Sequence, residues 1–265
     1  MPIAPEFLTA ASKRIRATLM ELRPQLLQAH GAIEHELKDD ASAVTEMDLL
    51  VEKRLHEALG ELDPTIGLAG EETGADFDQE TFWLVDPIDG TEPFIRGLPF
   101  STNMIALIHH GEPIMSVIYN FFLDEYYHAV KGEGATMNGH PIHVSDRPMD
   151  RAYVVFGSKL KDPKLFGLTD RLRQRVLGLP QMAGAGYTYA SIAAGQLDGL
   201  VAYNGRGKPW DHAPGTLLVR EAGGRVENLF SPSYDYRNLE LVAAAPSIFP
   251  ELKQFFEDEI SAVGK

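Results

Sequence analysis

The chain has 265 residues, 44% of them apolar and 23% charged, which is enough for one large hydrophobic core or two smaller adjacent ones. It has no cysteine, so disulfides, thiolate zinc sites, iron–sulfur clusters and cysteine nucleophiles are excluded. The 38 acidic residues outnumber the 24 basic ones, and the net charge of −14 disfavours nucleic acid and anionic membranes as partners. Any catalytic metal must therefore bind to oxygen or histidine ligands.

The first third of the chain predicts two helices followed by two short strands. The N-terminal segment carries charges every few positions and no long apolar run, so we expect no signal peptide, no membrane span and a cytoplasmic location. Apolar residues at helical spacing predict a helix over residues 7 to 22, which Pro24 is expected to break or kink. Thr45 is the expected N-cap of a second helix that runs to Leu59. The two apolar strands, each ending in acidic residues, are Ile66 to Ala69 and Phe82 to Val85.

The rest of the chain changes character near residue 147. From Ser101 to Val144, β-branched and aromatic residues alternate with turn signals at His110-Gly111 and Asn138-Gly139, which predicts an antiparallel meander. Beyond it, the pattern predicts a strand, a helix and, after a small-residue helix, another strand, typical of α/β layering. These elements are expected at Ala152 to Phe156, 163 to 176 and Leu200 to Tyr203. We therefore expect an N-terminal α+β domain over 1–146 and a C-terminal α/β domain over 147–265.

The strongest local motif is WLVDPIDGT at residues 83 to 91, where an apolar strand runs into two aspartates three positions apart. Pro87 fixes its own backbone angle and Gly90 permits a tight turn, so Asp86 and Asp89 can be aimed at one point. A loop of this kind can also present backbone N–H groups to an anion. The alternative is an Asp-rich turn that caps a helix.

Two further segments end in acids. In LAGEETG at 68 to 74, Glu71 and Glu72 are adjacent, so in an extended chain only one of them can face Asp86. The alternative is a pair of exposed glutamates. In PWDHAPGTLLVREAGG at 209 to 224, Asp211 opens a helix that Gly223-Gly224 ends, and a helix cap is the alternative role for this acid.

Convergence of these acids would require cations. Four carboxylates and a substrate phosphate place roughly six negative charges in one pocket, which cannot all stay ionised there without divalent ions. Oxygen ligands without paired histidines favour magnesium or manganese over zinc. Two or three such ions would offset the charge, stabilise the attacking and leaving oxygens of a phosphoryl transfer and activate water. The residues in question are Glu71, Asp86, Asp89 and Asp211.

The segments GEE, DPIDGT and WDxxxG, in this order and at these separations, resemble the inositol monophosphatase-like family of lithium-sensitive, magnesium-dependent phosphatases. The resemblance implies a layered α-β-α-β-α sandwich of the sugar-phosphatase type, with an antiparallel N-terminal sheet and a mixed C-terminal sheet. It also implies a homodimer and a small phosphorylated metabolite as substrate. Further segments that are similar to the family are VTEMD at 44 to 48, KGEGATMNGHPI at 131 to 142, AAGQLDG at 193 to 199 and REAGG at 220 to 224.

The same resemblance implies a role for each site residue. Glu71, Asp86 and the Ile88 carbonyl would hold one metal, and Asp86, Asp89 and Asp211 a second. A metal-activated water, oriented by Glu71 and the Thr91 hydroxyl, would attack phosphorus without a covalent intermediate. Asp48 would prepare Thr91 by a hydrogen bond, although it also fits a capping box with Thr45. The substrate side would be formed by Asp89, Gly90, Thr91, Gly184, Ala185, Asn204 and Asp211.

Two departures from the family pattern bear on the substrate. Glu92 follows DPIDGT directly, where it either tunes the leaving-group side or satisfies the helix dipole. Asn204 stands where inositol-preferring members carry a glutamate, so the preferred substrate stays open between inositol-1-phosphate, fructose 1,6-bisphosphate, 3′-phosphoadenosine 5′-phosphate and histidinol phosphate. The residues after Asn204 include Arg206 and Lys208, which would meet a second anionic group or face solvent.

Two competing functions have distinct signatures. Phosphatases that form an aspartyl-phosphate have aspartates two apart, whereas Asp86 and Asp89 are three apart. A regulatory binding protein of the same fold, such as a relative that contacts the transcription machinery, is the alternative from another class. Its basic patches are not expected in a chain with a net charge of −14.

Overall fold

The structure is a computed structural model that describes residues 3–37, 43–74, 77–158, 164–205 and 207–263. It contains a seven-stranded sheet, a four-stranded sheet, a small two-stranded pair and helices on both sides of the two large sheets. Among the described helices, none combines the length and the apolar character needed to cross a membrane. The predictions for Pro163 and Arg206 lie outside the described residues.

The N-terminal helix does not end at Pro24. Helix α1 spans Pro5–Ala29 and continues through this proline. Leu22 and Leu26, on either side of Pro24, are both buried, so their packing compensates for the backbone hydrogen bond that proline cannot donate. Helix α2 spans Glu46–Gly60 and begins at the predicted N-cap, Thr45.

The first large sheet has the strand order β3-β4-β5-β6-β7-β8-β9. All neighbours are antiparallel except β3 and β4, which are parallel. The predicted turns are confirmed: His110-Gly111 and Asn138-Gly139 all have positive φ, as two-residue hairpin loops require. The bounds are β1 Glu36–Leu37, β2 Ala43–Val44, β3 Gly67–Gly70, β4 Thr81–Asp89, β5 Thr102–His109, β6 Glu112–Asn120, β7 Glu125–Val130, β8 Gly134–Met137 and β9 His140–Pro141, with β1 pairing β2 and helix α3 at Thr91–Ile95.

The second large sheet has the order β10-β11-β13-β12 and is mixed, as predicted. Strands β10 and β11 are parallel, and the other two pairs are antiparallel. The bounds in this half are β10 Val154–Gly157, α4 Lys164–Arg173, α5 Ala185–Ala193, β11 Gly199–Ala202, α6 Pro209–Glu221, β12 Arg225–Asn228, β13 Leu241–Ala244 and α7 Phe249–Val263.

Three hydrophobic clusters order these elements into five layers. Helices α1 and α2 cover one face of the first sheet, α5 and α6 lie between the two sheets, and α4 and α7 cover the far face of the second. Strand β13 shows how alternation produces this arrangement, since Leu241 and Ala243 face α5 and α6 while Val242 and Ala244 face α7. The α-β-α-β-α sandwich is thereby confirmed, and the domain boundary near residue 147 stays a prediction.

Candidate active site

The two aspartates of the DPIDGT motif lie in strand β4. The strand was predicted to end at Val85, but it continues to Asp89 and contains a bulge. Asp86 pairs with Met104 and Asp89 with Thr102, so three steps on β4 match two steps on β5. In a regular strand, side chains three positions apart face opposite sides of the sheet. The extra residue of the bulge shifts this alternation by one, so that the two side chains face the same side. The bulge therefore allows both carboxylates to point toward the same site.

The bulge is held by the neighbouring strand and by the turn that follows it. Asn103 is fully buried and donates from Nδ2 to the Pro87 carbonyl oxygen at 2.5 Å. Gly90 has φ 80° and caps α3, and Ser101 Oγ donates to its carbonyl at 2.8 Å. The tight turn predicted at Gly90 is confirmed, because this left-handed backbone disfavours residues with a side chain.

Asp89 is fixed by the beginning of helix α5. Its Oδ1 accepts from the Ala185 N–H at 3.0 Å, and its Oδ2 accepts from the Gly186 N–H at 2.7 Å and from Thr102 Oγ1 at 3.3 Å. A Cβ at Gly184 would lie only 2.8 Å from Asp89 Oδ2, so a glycine is needed for this approach. The structure thus places Gly184 and Ala185 directly against Asp89.

Asp211 lies in the first turn of helix α6. Its Oδ2 accepts from the Lys208 N–H at 2.9 Å, so the helix-cap role considered for this residue is present. The side chain of Asp211 also interacts with that of Asp86 on strand β4, and its negative charge contributes to the raised pKa of Asp86. The cap and the convergence with the DPIDGT motif are therefore compatible.

Glu71 follows strand β3 and reaches the same region. Its backbone N–H donates to the Val85 carbonyl at 3.2 Å, which extends the pairing of β3 with β4. The negative charge of Glu71 contributes to the raised pKa values of both Asp86 and Asp211. The structure therefore brings the three predicted acidic segments together.

Burial dominates the electrostatics of this cluster. Burial, followed by the charges of Glu71, Asp211 and Asp89, raises the pKa of Asp86 well above its usual range. Burial and the charge of Asp211 raise the pKa of Asp89 to about 7, against the opposing hydrogen bonds from α5. Burial raises the pKa of Asp211 to about 6. In the absence of cations, these carboxyls hold protons at pH values where free aspartates are ionised.

The donor set fits divalent cations. Asp86 Oδ1 is buried and has no hydrogen-bond partner within the described part of the chain, which is costly for a carboxylate oxygen. The neighbouring ligand groups are carboxylates and the Ile88 carbonyl, which suit magnesium or manganese. Within the described ranges, no three of the four acids offer oxygens within 4.8 Å of one another, so ion binding requires side-chain adjustment. Asp89, in particular, now bonds to α5.

One set of three potential metal-ligating side chains does come this close together, but it lies away from the four acids, at one end of strands β4 and β5. Glu80, His109 and His110 offer ligand atoms within 4.8 Å of one another. His110 Nε2 lies 3.3 Å from Glu80 Oε1, and His109 Nδ1 lies 2.7 Å from Thr81 Oγ1. These partly exposed side chains thus already have polar partners.

Asp48 makes both of the contacts considered for it by using its two oxygens separately. Its Oδ2 accepts from the backbone N–H and the hydroxyl of Thr45, at 2.7 and 2.6 Å, and completes the capping box of α2. Its Oδ1 lies 3.4 Å from Thr91 Oγ1, which is also 3.1 Å from the Ile88 carbonyl oxygen. Burial raises the pKa of Asp48 to about 6.

A cavity of about 180 Å³ opens beside Asp89 and Asp211. Its walls include Gly184 and Ala185, together with apolar side chains from β10, β11 and the segment before α5. Asn204 does not line this cavity: it is exposed, has φ 63° and donates its backbone N–H to Glu240. The apolar walls are Val155, Phe156, Met182, Leu200 and Ala202.

Two neighbouring side chains have defined partners. Glu92 is exposed and pairs with Arg96 one helical turn later, at 3.0 Å. His212 is buried, and its Nδ1 lies 2.8 Å from the Tyr189 hydroxyl.

Two buried polar residues next to the site were not predicted from the sequence. Asn103 lies within a strand of apolar residues, and Glu52 lies in helix α2, one turn after Asp48. Both are almost completely buried. A polar residue on the predicted apolar side of a helix or inside an apolar strand was the available signal, since such groups are buried only with hydrogen-bond partners.

Comparisons with known proteins agree with this geometry. The Inositol monophosphatase family model matches residues 5–260. Nus factor SuhB of Pasteurella multocida is 33% identical, covering 82% of this chain and 83% of that protein. An Inositol monophosphatase of Mesembryanthemum crystallinum is 31% identical, covering 85% and 86%. A solved structure, Thermotoga maritima IMPase, superposes with a TM-score of 0.83 at 26% identity and covers 92% of this chain and 95% of that one. This chain therefore belongs to the inositol monophosphatase family.

Proposed function

We propose that this chain is a magnesium-dependent phosphomonoesterase that releases phosphate from a small sugar or polyol phosphate. The buried, unpartnered Oδ1 of Asp86 carries the proposal, because it lies among three further acids whose charges need cations. Membership of the inositol monophosphatase family supports phosphatase activity. A cytoplasmic location and a homodimer stay predictions.

The proposed metal ligands come from three segments of the chain. Glu71, Asp86 and the Ile88 carbonyl would hold one ion, and Asp86, Asp89 and Asp211 a second; a third ion and manganese are compatible with the same oxygen donors. Bound magnesium supplies Lewis acidity that stabilises negative charge on a phosphoryl group and lowers the pKa of water. To bind the second ion, Asp89 would give up some of its hydrogen bonds with the N–H groups of α5.

Thr91 and Asp48 suit the positioning of the attacking water. The Thr91 hydroxyl has one proton and two neighbouring acceptors, the Ile88 carbonyl and Asp48 Oδ1. If the Ile88 carbonyl binds a metal ion, the Thr91 hydroxyl donates its hydrogen bond to Asp48 Oδ1 instead. The lone pairs of Thr91 Oγ1 can then accept a hydrogen bond from water. Glu71 would orient the same water from the other side, and Gly90 and Thr91 would bind the phosphate through backbone N–H groups.

The reaction that follows is a direct hydrolysis. The water oxygen forms a bond to phosphorus while the ester P–O bond breaks; the water gives up one proton, and the departing alcohol oxygen takes one up. The products are inorganic phosphate and an alcohol, with no covalent intermediate on the protein.

The cavity supports a small leaving group. Its volume of about 180 Å³ is below the roughly 300–1,000 Å³ of pockets that enclose drug-sized ligands. Such a space suits a single sugar or polyol ring better than a nucleotide. Inositol-1-phosphate, fructose 1,6-bisphosphate and histidinol phosphate are therefore favoured for testing over 3′-phosphoadenosine 5′-phosphate.

A regulatory role is the competing function, because several relatives are called Nus factor SuhB. The two functions make different demands on the acids. A binding protein that works through its outer surface has no need of four converging carboxylates around a cavity, whereas a metal-dependent phosphatase requires them.

The test is a phosphate-release assay of the purified chain with the four substrates named above. We expect hydrolysis of at least one substrate that requires magnesium and is blocked by EDTA. Asp89→Asn and Asp211→Asn should each abolish magnesium-dependent hydrolysis, with unchanged circular dichroism. The exposed Asp170→Asn is the matched control and should retain full activity. Absence of release from the whole panel, or near-normal turnover in either site variant, would contradict the proposal.

A further inference from the structure

Glu52 has a buried carboxylate that contacts the loop bearing Glu71. The side chain extends from helix α2, and the residue is 1% exposed. Its Oε2 accepts from the Glu72 N–H at 3.0 Å, and its Oε1 accepts from the Thr73 N–H at 2.8 Å. Both carboxylate oxygens are therefore bonded to the two residues that follow Glu71.

The loop is shaped to receive this carboxylate. Any Cβ on Gly70 would overlap the carboxylate of Glu52, so the close approach depends on glycine at this position. Burying a carboxylate is costly unless hydrogen bonds replace its water, and here two backbone N–H groups do so. Helix α2 and the loop after β3 thus form one unit.

This contact fixes the backbone around Glu71 from the C-terminal side. On Glu71 itself, the backbone N–H is fixed by the Val85 carbonyl at the end of the β3–β4 pairing. We propose that Glu52 is a positioning residue that holds the loop so that Glu71 faces Asp86 and can bind a divalent cation. The inference rests on the proposed function, because it assumes that Glu71 is a metal ligand.

The chemistry of the contact explains why an acid is required. A carboxylate offers two acceptors to two N–H donors, whereas a glutamine offers one acceptor and an NH₂ group that would oppose the other N–H. Aspartate keeps both acceptors and the charge but is one methylene too short. Loss of groups that orient a metal ligand typically weakens metal binding about 10- to 100-fold.

The test is Mn²⁺ binding to the full chain, measured by the electron paramagnetic resonance signal of the free ion. Glu52→Gln and Glu52→Asp should each bind Mn²⁺ about 10- to 100-fold more weakly than the wild type. Glu57→Gln removes the same charge from an exposed position on the same helix and should bind normally. Raising magnesium should restore turnover of Glu52→Gln, which a misfolded variant would not allow.

The outcomes separate this inference from the proposed function. Wild-type Mn²⁺ affinity in both Glu52 variants would overturn the inference and leave the phosphatase proposal standing. Wild-type affinity in Glu52→Asp alone would show that charge matters rather than the contact with the loop, and would also overturn it. A wild-type chain that binds no Mn²⁺ would overturn both. If Glu52→Gln fails to fold, Glu52→Asp decides the question.

Discussion

Two aspartates of the site, Asp48 and Asp211, occupy the same position in their helices, the third residue of the first turn. Each carboxylate accepts the backbone N–H of the residue three positions earlier. Each also interacts across to the DPIDGT segment, Asp48 with Thr91 and Asp211 with Asp86. A capping acid therefore has one oxygen committed to its helix, which limits its rotation and aims the rest of the group into the site.

The raised pKa values predict how stability depends on pH once cations are removed. Asp89 and Asp211 have folded-state pKa values of about 7 and about 6, whereas carboxyls in an unfolded chain titrate near about 4. Between these pH values the folded chain binds more protons than the unfolded chain, so the free energy of unfolding falls as pH rises. The stability that the two protonated carboxyls contribute is complete below about pH 4 and is lost by about pH 7.

Thermal unfolding in EDTA should therefore show a Tm that falls by roughly 5–10 °C between pH 5 and 7.5. Magnesium should raise the Tm most at the upper end of this range, because it binds the ionised carboxylates. Asp89→Asn cannot titrate at this position and should show a flatter profile in EDTA. A wild-type Tm that rises over the same range, with no response to magnesium, would contradict the electrostatic account.

The bulge in β4 is the feature of secondary structure that makes the site. It places Asp86 and Asp89 on one side of the sheet, and the Pro87 carbonyl within it accepts a hydrogen bond from Asn103 Nδ2. Without this side chain, a buried carbonyl would be left without a donor. The geometry of the DPIDGT segment therefore depends on a residue of the next strand, β5.

Asn103→Ala should lower the free energy of unfolding by about 1–3 kcal/mol, the cost of an unsatisfied buried polar group. Magnesium affinity should fall with it, because the bulge that aims Asp86 and Asp89 loses its support. Ser116→Ala is the control: this hydroxyl is also buried, but it has no hydrogen-bond partner within the described residues, so its loss should cost little. Urea unfolding measures the free energy of unfolding of both variants. Equal stabilities for the two variants would refute the role of Asn103.

The sequence predicted the existence of most elements but not the details that shape the site. Periodicity and turn residues located α2, the meander and its two tight turns, because these signals are local. The extension of β4 to Asp89 was missed, since Pro87 and Gly90 are typical of loops and the bulge depends on pairing with β5. The partners of Glu52 are backbone N–H groups 20 and 21 positions away, which no local pattern reveals.

The site lies where elements from both halves of the chain meet. Strand β4 supplies Asp86 and Asp89, the loop after β3 supplies Glu71, and α6, between the two sheets, supplies Asp211. The order of layers followed from a family resemblance rather than from periodicity, because pairing between distant strands is not visible in local patterns. Convergence of the acidic segments was expected from their chemistry, and the fold brings them together.

We expect divalent cations to bind among these converging acids. Anomalous diffraction from a crystal of the chain grown with Mn²⁺ would locate them. We expect strong peaks within bonding distance of Asp86, with Glu71 or Asp211 as neighbouring ligands. A crystal with Mn²⁺ only at Glu80, His109 and His110, or with none beside Asp86, would contradict the account.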